Sequence, residues 1–292
     1  MPKKILLLIN PYSGSGKSLA ASDYLRQHLQ GYEYTSVISQ YKGHLSDFLQ
    51  NTDLSLFEKI VVLGGDGTMH EITNAIGTQI NLPPVMLFPC GSGNAFNHDI
   101  DSLDWATSLQ KLQEGSSKDI DIFRMFFSDT QPIYGFNVMG WGLVSAINQS
   151  AEKLRWLGTA RYTIAALIHL FRNPVFKGNV QVDGELFTGN FSFVLACNTQ
   201  HTGKSMKIAP LALLDDGLLD VLVIKHVRFY HLLRLFPLIF SGKHIHSSLV
   251  IYRKAKQIRI DANPSVLVVD GEIKCQTPLT IEVMANKLRM IV

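Results

Sequence analysis

Three short turns carry the residue types best suited to chemistry, and each turn follows a short apolar run. The second turn, Gly-Gly-Asp-Gly-Thr at 64–68, precedes an amphipathic pattern that predicts a helix over 68–76, with Gly77 as its left-handed cap. Glycines let the backbone approach a ligand closely, a helix N-terminus offers N–H groups to phosphate oxygens, and Asp66 adds a carboxylate for Mg²⁺ or for proton transfer. An ordinary turn does not need three glycines around an acid, so the pattern favours a phosphate site.

The other two turns lie at 10–18 and 89–94. The first ends in Gly-Lys-Ser and so resembles a P-loop, but a P-loop has a glycine five residues before Gly16, where this chain has Pro11. A tight strand-to-helix connection explains this turn equally well. The third turn, Pro-Cys-Gly-Ser-Gly-Asn, would bring Ser92 and Asn94 against a nucleotide. The repetition of such turns after three apolar runs is more informative than any one of them.

Short apolar runs alternate with amphipathic helical patterns over residues 1–124, which predicts a mostly parallel sheet with helices on both faces. Ligands of such sheets bind outside the carboxyl ends of the strands, which is where the three turns lie. We expect strands at 5–9, 34–38, 59–63, 85–88 and 119–123.

The rest of the chain, 125–292, is rich in strand patterns and hairpin signals, such as the Asp-Gly pair at 183–184. It predicts a second, mainly antiparallel domain, interrupted by helical segments at 152–172 and 229–241. The pattern also allows the last strand to return to the first domain. The fold class is therefore α/β, with a Rossmann-like nucleotide domain over 1–124 followed by a β-rich domain with inserted helices over 125–292.

The composition excludes several classes of protein. The 292 residues are 46% hydrophobic and 17% charged, which is too apolar for a disordered chain. A net charge of +3 gives only mild attraction to anionic surfaces, so nucleic acid is not expected as a partner. The three cysteines lie far apart and are odd in number, which argues for a reducing compartment. No apolar run approaches the ~20 residues of a membrane-spanning helix.

The order and spacing of four motifs resemble the diacylglycerol kinase catalytic-domain family, which includes sphingosine and ceramide kinases. The resemblance covers nearly the whole chain and implies an N-terminal nucleotide domain, a C-terminal antiparallel β-sandwich with the lipid site, and catalysis in the cleft between them. It also implies an ATP-dependent lipid kinase that uses Mg²⁺ and acts on diacylglycerol or on a sphingoid- or ceramide-type lipid. The motifs are Asn-Pro with its glycine-rich turn at 10–18, Gly-Gly-Asp-Gly-Thr at 64–68, Gly-Ser-Gly-Asn at 91–94 and Val-Asp-Gly-Glu at 269–272.

The resemblance further implies roles for individual residues. Asp66 is the implied general base and Glu272 a second catalytic carboxylate, while Asp66 and Asp270 are the implied Mg²⁺ ligands. Asn148 stands near the place where the sphingosine-kinase branch carries acidic residues that hold the lipid head group, and an amide cannot attract an ammonium as a carboxylate would. The residues implied to line the nucleotide are Asn10, Ser13, Gly14, Gly16, Lys17, Ser39, Gly65, Gly67, Thr68, Ser92, Asn94, Glu152, Arg155, Arg161 and Asp270.

Some of these assignments have a structural alternative. A solvated helix face would explain Glu152, Arg155 and Arg161, and an ordinary hairpin turn would explain Asp270 before its glycine. Within the family pattern, the Asp-Asp-Gly sequence at 215–217 is a candidate structural ion site.

Two other functions stay open. The Gly-Gly-Asp-Gly turn also occurs in NAD kinases and phosphofructokinases, so a soluble-substrate kinase of the NAD kinase type is one alternative, although the third turn favours a lipid kinase. A catalytically inactive lipid-binding module is the other, suggested by Asn148.

Segment 229–241 is more apolar than one helix face can easily bury, and basic residues flank it. It is either a core helix of the second domain or, together with 165–171, a patch that docks on an anionic membrane surface. The chain is therefore expected to be cytoplasmic and peripherally membrane-associated. A homodimer is kept as a candidate assembly.

Overall fold

A computed structural model describes residues 3–77, 79, 82–127, 131–154, 156, 160–203 and 205–292. The chain forms two compact units. The first contains Met1–Ile122, Gly203–Ser205 and Ala285–Val292, and the second contains Phe123–Thr202 and Met206–Met284.

The first unit is built around parallel strands covered by helices. In β1, Ile5, Leu7 and Ile9 pack against the first and fifth helices, and the alternate residues Leu6 and Leu8 are equally buried, so both faces of the sheet are covered. The elements are β1 (Lys3–Ile9), α1 (Lys17–His28), β2 (Tyr32–Ile38), α2 (His44–Gln50), β3 (Lys59–Gly64), α3 (Asp66–Ile76), β4 (Val85–Pro89), α4 (Ala95–Asp99), α5 (Trp105–Glu114) and β5 (Ser117–Phe126), which continues into the second unit.

The parallel strands lie in the order β2, β1, β3, β4, and all three pairings are in register with their carboxyl ends at one edge. The chain leaves β1 toward β2 on one side and returns to β3 on the other, which is the topology of a doubly wound sheet. The parallel sheet predicted from the sequence is therefore confirmed.

The second unit is mainly antiparallel. Its remaining elements are β6 (Ile133–Gly135), β7 (Val138–Gly142), α6 (Leu143–Lys153), α7 (Ala160–Arg172), β8 (Phe176–Val182), β9 (Glu185–Cys197), β10 (His201–Thr202), β11 (Met206–Lys207), β12 (Leu219–Lys225), α8 (Phe229–Ile239), β13 (Ile251–Ala255), β14 (Gln257–Ala262), β15 (Val266–Val269), β16 (Glu272–Gln276) and β17 (Leu279–Ile291). The antiparallel pairings run in the order β16, β15, β7, β9, β8, β14, β17, with β12 pairing both β9 and β13.

Strand β17 begins in the second unit and ends in the first. Its first residues pair with β14, and Met290 pairs in parallel with Val85 of β4. The predicted hairpin is also present: Asp183 and Gly184 connect β8 to β9 with φ of 43° and 91°, as a tight two-residue turn requires.

Two helix predictions are wrong in detail. Helix α3 begins at Asp66 rather than at 68, because the Gly65 carbonyl accepts the N–H groups of Thr68 and Met69. Gly77 is not a left-handed cap, since its φ of −58° and ψ of −20° are right-handed. The single helical segment predicted over 152–172 is instead divided between α6, which ends at Lys153, and α7.

No helix in the described part of the chain is long and apolar enough to cross a membrane.

Candidate active site

The three glycine-rich turns of the first unit start from the ends of three hydrogen-bonded neighbours, β1, β3 and β4. The N–H group of Asn10 donates to the Leu63 carbonyl at 3.1 Å, and that of Cys90 donates to the Gly64 carbonyl at 3.0 Å. Each turn therefore leaves the sheet beside the next one. The strand register brings the three motifs together, although 10 and 89 are far apart in sequence.

The glycines allow these turns to touch. A Cβ atom added to Gly65 would lie 2.9 Å from the Gly91 Cα, and one added to Gly91 would lie 2.6 Å from the Gly65 Cα. A Cβ on Gly14, whose φ is 56°, would collide with the Cys90 carbonyl oxygen. Glycine is required at these positions because the backbones themselves are in contact.

Side chains complete the connections between the turns. The Asp66 carboxylate accepts hydrogen bonds from the backbone N–H groups of Ala95 at 2.9 Å and Phe96 at 3.2 Å, at the start of α4. The Asn10 amide donates to the Thr68 hydroxyl at 2.9 Å. The second turn is thus tied to both of its neighbours, and Asp66 has a positioning role besides any chemical one.

Asn94 is the most unusual residue of the third turn. It has a left-handed backbone, with φ of 49°, and its buried Oδ1 atom has no hydrogen-bond partner among the described residues. A buried acceptor without a partner costs about 1–3 kcal/mol. Such an atom is a natural acceptor for an N–H group of a ligand, whereas Ser92 in the same turn is exposed.

The first turn reverses direction through Gly14, Ser15 and Gly16, which all have positive φ, and α1 follows at Lys17. The Lys17 side chain is exposed and passes near Gly14 and Cys90. Burial raises the pKa of the Cys90 thiol to about 12, and the Lys17 ammonium opposes this only in part. Cys90 is therefore a neutral packing residue at physiological pH.

Ser13 lies beside the contact between the first two turns, and Ser39 follows β2 at the same sheet edge. The Ser39 N–H group donates to the Ile9 carbonyl at 2.8 Å. Gly67 lies in the first turn of α3 and is exposed. The sequence-predicted nucleotide residues up to 94 thus gather at one edge of the first unit.

In the second unit, Asp270 and Gly271 form the turn between β15 and β16, with φ of 50° and 86°. The Asp270 side chain is nearly buried and accepts hydrogen bonds from the N–H groups of Phe136 at 3.2 Å, Asn137 at 2.9 Å and Val138 at 3.0 Å. It fixes the tip of the hairpin to the start of β7. Glu272, half-buried, is the first residue of β16.

Buried polar residues that the sequence prediction missed surround this hairpin tip. Thr199 donates its hydroxyl hydrogen bond to the Asn137 side chain, and the Asn198 amide donates to the Phe136 carbonyl at 3.0 Å. Asn137, Asn198 and Thr199 are almost completely buried. Their only sequence signal is a pair of polar residues directly after the apolar strand that ends at Cys197.

The charged residues predicted to face the nucleotide from 152–161 lie on separate elements. Glu152 is near the end of α6 and Arg161 near the start of α7, where its guanidinium lies 3.7 Å from the Glu152 carboxylate. Arg155 lies outside the described residues. Asn148, on α6, donates to the Val144 carbonyl at 3.2 Å. One helix face therefore does not explain these charges, because α6 ends before 155.

A lysine side chain lies at the candidate ion site predicted at 215–217. The Lys254 ammonium lies 2.6 Å from the Asp216 carboxylate and 3.7 Å from that of the fully buried Asp220. Tyr252 donates to Asp220 at 2.6 Å, and burial raises the pKa of the Asp220 carboxyl. Lys254 supplies positive charge here, and in the described part of the chain no group of three or more His, Cys, Asp or Glu side chains could hold a metal ion.

Comparison with known families identifies both halves of the chain. Residues 4–125 match the diacylglycerol kinase catalytic domain, and 137–292 match the YegS C-terminal NAD kinase beta sandwich-like domain. The chain belongs to the diacylglycerol kinase family. The resemblance inferred from the motifs is thereby confirmed, as are the β-sandwich character of the second domain and the assignment as a lipid kinase.

Individual proteins similar to this chain carry names that belong to this family. A diacylglycerol kinase of Bacillus subtilis is 26% identical over 92% of this chain and 90% of its own length. One of Mycobacterium tuberculosis is 26% identical over 99% and 94%. Sphingosine kinase 2 of Arabidopsis thaliana is 24% identical over 91% of this chain and 66% of its own length. The fold matches a crystal structure of a diacylglycerol kinase from Bacillus anthracis, with a TM-score of 0.78, 22% identity and coverage of 99% and 96%.

Proposed function

We propose that this lipid kinase transfers the γ-phosphoryl group of Mg·ATP to a hydroxyl group of a membrane lipid. The observation that carries the proposal is the convergence of three turns in the first unit, where Gly65 meets Gly91 and the Asp66 carboxylate bonds to the start of α4. The carboxyl edge of a doubly wound sheet is the usual place for a nucleotide.

The residues at these turns fit a nucleotide and its metal ion. Helices α1 and α3 begin at Lys17 and Asp66, so two helix N-termini direct their N–H groups and dipoles toward this edge. The buried acceptor of Asn94 suits an N–H group of the ligand. Kinases bind Mg²⁺ through one or two carboxylates together with substrate phosphates, so the Asp66 carboxylate is a sufficient protein ligand in the first unit.

Mg·ATP supplies the phosphoryl group, and the metal ion neutralises charge on it. We assign Lys17 to the phosphates and Asp66 to the metal ion and to the proton of the attacking hydroxyl group. Glu272 is proposed as the second proton acceptor. Asp270 stays a predicted metal ligand, and its three backbone hydrogen bonds support a role in holding Glu272 at the start of β16.

Diacylglycerol is the substrate that we favour. Its acceptor is a neutral hydroxyl group, which Asn148 on α6 can meet with a hydrogen bond. A sphingoid base carries an ammonium, for which an amide provides no opposite charge. This chain also aligns with a larger share of the bacterial relatives named diacylglycerol kinase, 90% and 94% of their length, than of the plant sphingosine kinase, 66% of its length. A ceramide-type lipid, which has no ammonium, is the second candidate.

Transfer of label from radiolabelled ATP to a panel of acceptors tests the proposal. The panel contains diacylglycerol, ceramide, sphingosine and monoacylglycerol in mixed micelles, and NAD in solution. We expect Mg²⁺-dependent labelling of diacylglycerol and none of NAD. Labelling of NAD alone, or hydrolysis of ATP without a labelled lipid, would contradict the proposal.

A kinase that acts on such a lipid must work at a bilayer surface. We therefore propose that the protein is cytoplasmic and binds anionic membranes peripherally and reversibly. Vesicle co-sedimentation at low and high salt tests this, because screening weakens surface electrostatics. A homodimer stays a prediction, which sedimentation velocity tests.

A further inference from the structure

Helix α8 has apolar side chains on its buried face and on its exposed face. Leu232 and Leu235 point into the core of the second unit. The opposite side exposes Tyr230, Leu233 and Leu238, together with Phe236, which is 49% exposed, and Phe240 just after the helix, which is 51% exposed. A surface helix of a globular protein normally has polar residues on its outer face. The outer face of α8 is therefore unusually apolar for a helix face in contact with water.

Within the sequence segments that contain α7 and α8, the charged residues are all basic. Residues 221–260 contain no Asp or Glu, and neither do residues 153–182, which include α7. Thirteen of the 27 Lys and Arg residues fall in these two stretches, although the whole chain has a net charge of only +3. The exposed basic residues next to or on α8 are Lys225, Arg228, Arg234 and Lys243.

A cavity of about 320 Å³ runs along one side of α8. Its lining includes the cationic side chain of Arg234, the imidazole of His231 and the hydroxyl-bearing Ser247 and Ser248. Arg234 also lies 6.0 Å from the Tyr230 ring, so it connects this cavity to the apolar outer face. Guanidinium and hydroxyl groups are suited to phosphate oxygens.

We propose that the outer face of α8 docks on a bilayer containing anionic phospholipids, with the cavity beside Arg234 receiving a lipid phosphate. Phe236 and Phe240 enter the boundary between headgroups and acyl chains, and the flanking cations contact the anionic headgroups. This proposal rests on the proposed function only in making the membrane the place of catalysis. The surface itself is argued from α8 alone.

A second copy of this chain fits the same surface poorly. A symmetric dimer brings a patch onto its own copy. Around α8 this would place Arg228, Arg234 and Lys243 near their equivalents, and no acidic residue within 221–260 could neutralise them. An anionic bilayer satisfies both the apolar and the basic part of the surface.

Vesicle co-sedimentation without ATP tests the proposal, using vesicles of phosphatidylcholine in which phosphatidylglycerol replaces a rising share. We expect the double variant Phe236→Ser, Phe240→Ser to bind the anionic vesicles about tenfold or more weakly than wild type, because two half-exposed aromatic rings no longer enter the bilayer. Arg234→Gln should weaken binding about fivefold, and only to anionic vesicles. The matched control is Leu186→Ser, since Leu186 is 59% exposed on β9 of the same unit, next to Glu185.

Thermal unfolding and a water-soluble short-chain diacylglycerol complete the experiment. The double variant should keep the wild-type melting temperature and the wild-type turnover of the soluble lipid. The docking proposal is overturned by unchanged vesicle binding, by a large loss of melting temperature, or by a wild-type dimer that the double variant converts to monomers. If α8 governs vesicle binding but no lipid is phosphorylated, the docking surface stands and the proposed function fails.

Discussion

The substitution Asp66→Asn separates the chemistry of this carboxylate from its role in joining two turns. The carboxylate accepts the N–H groups of both Ala95 and Phe96, whereas an asparagine has one carbonyl oxygen and directs its own NH₂ group at the other donor. One half-buried donor then loses its partner, at a cost of about 1–2 kcal/mol, in the lower part of the range for a fully buried donor. The variant is therefore similar in shape but not neutral for stability.

The catalytic effect should exceed this structural effect. Loss of a positioned base typically lowers turnover by about 10²- to 10⁴-fold. If Asp66 only held the third turn, a loss of about 1–2 kcal/mol would lower activity no more than about 5- to 30-fold. The expected melting-temperature loss is about 2–4 °C for each kcal/mol in a chain of this size.

The control is Asp183→Asn, because Asp183 also precedes a glycine and accepts backbone hydrogen bonds, from Lys256 and Gln257. It belongs to a hairpin without any proposed chemistry. Turnover of diacylglycerol, nucleotide binding by calorimetry and thermal unfolding are measured for both variants. We expect both to lose some stability and only Asp66→Asn to lose turnover by 100-fold or more. Near-wild-type turnover of Asp66→Asn, or a loss explained wholly by weaker nucleotide binding, would refute the catalytic assignment.

Three further predictions follow from the second unit. Glu272→Gln should lower turnover about 10²- to 10⁴-fold with an unchanged melting temperature, measured in the same lipid assay; a merely structural residue would show the reverse. Lys254→Met should lower the free energy of unfolding by about 2 kcal/mol in denaturant titrations, less than for a fully buried ion pair because Lys254 is 31% exposed, while the exposed Lys256→Met should have little effect. Burial lowers the pKa of His244 below its usual 6.5, so the unfolded chain binds a proton more readily than the folded chain does. Stability should therefore fall as the pH drops below about 6.5, and the melting temperature of His244→Gln should decrease less with falling pH than that of the wild type.

The sequence predicted the first unit well because its signals are local. An apolar run such as Ile5 to Ile9 followed by a glycine-rich turn identifies a buried strand and its end without reference to any other segment. The same holds for the Asp183 hairpin, where two residues with positive φ define the turn. Parallel register then brings the ends of β1, β3 and β4 to one edge as a consequence of fold class.

Contacts between distant segments could not be predicted in the same way. The glycine pattern predicts space for a ligand. Glycine is also required at 65 and 91 because a Cβ atom on either residue would collide with the Cα atom of the other. The buried network of Asn137, Asn198 and Thr199 has no periodic pattern, because its members come from the ends of different strands. The interruption between α6 and α7 was missed since the charges at 152–161 fit a helical spacing equally well.

Asp-Gly pairs with the same structural role occur in both units, and this explains why the sequence motif alone could not decide whether its aspartate is catalytic. Asp66, Asp183 and Asp270 each precede a glycine, and each carboxylate accepts backbone N–H groups from a segment distant in sequence. At Asp183 and Asp270 the following glycine has positive φ and lets the chain turn, whereas Gly67 lies in the first turn of α3; in all three cases the aspartate fixes its own segment to another strand or helix. An Asp-Gly pair in this fold is therefore a tertiary connection first. What distinguishes Asp66 from Asp183 is its surroundings, namely two further glycine turns, the start of α3 and the buried acceptor of Asn94. A catalytic assignment must accordingly rest on the neighbours of the acid, which is why the paired substitutions at 66 and 183 decide it.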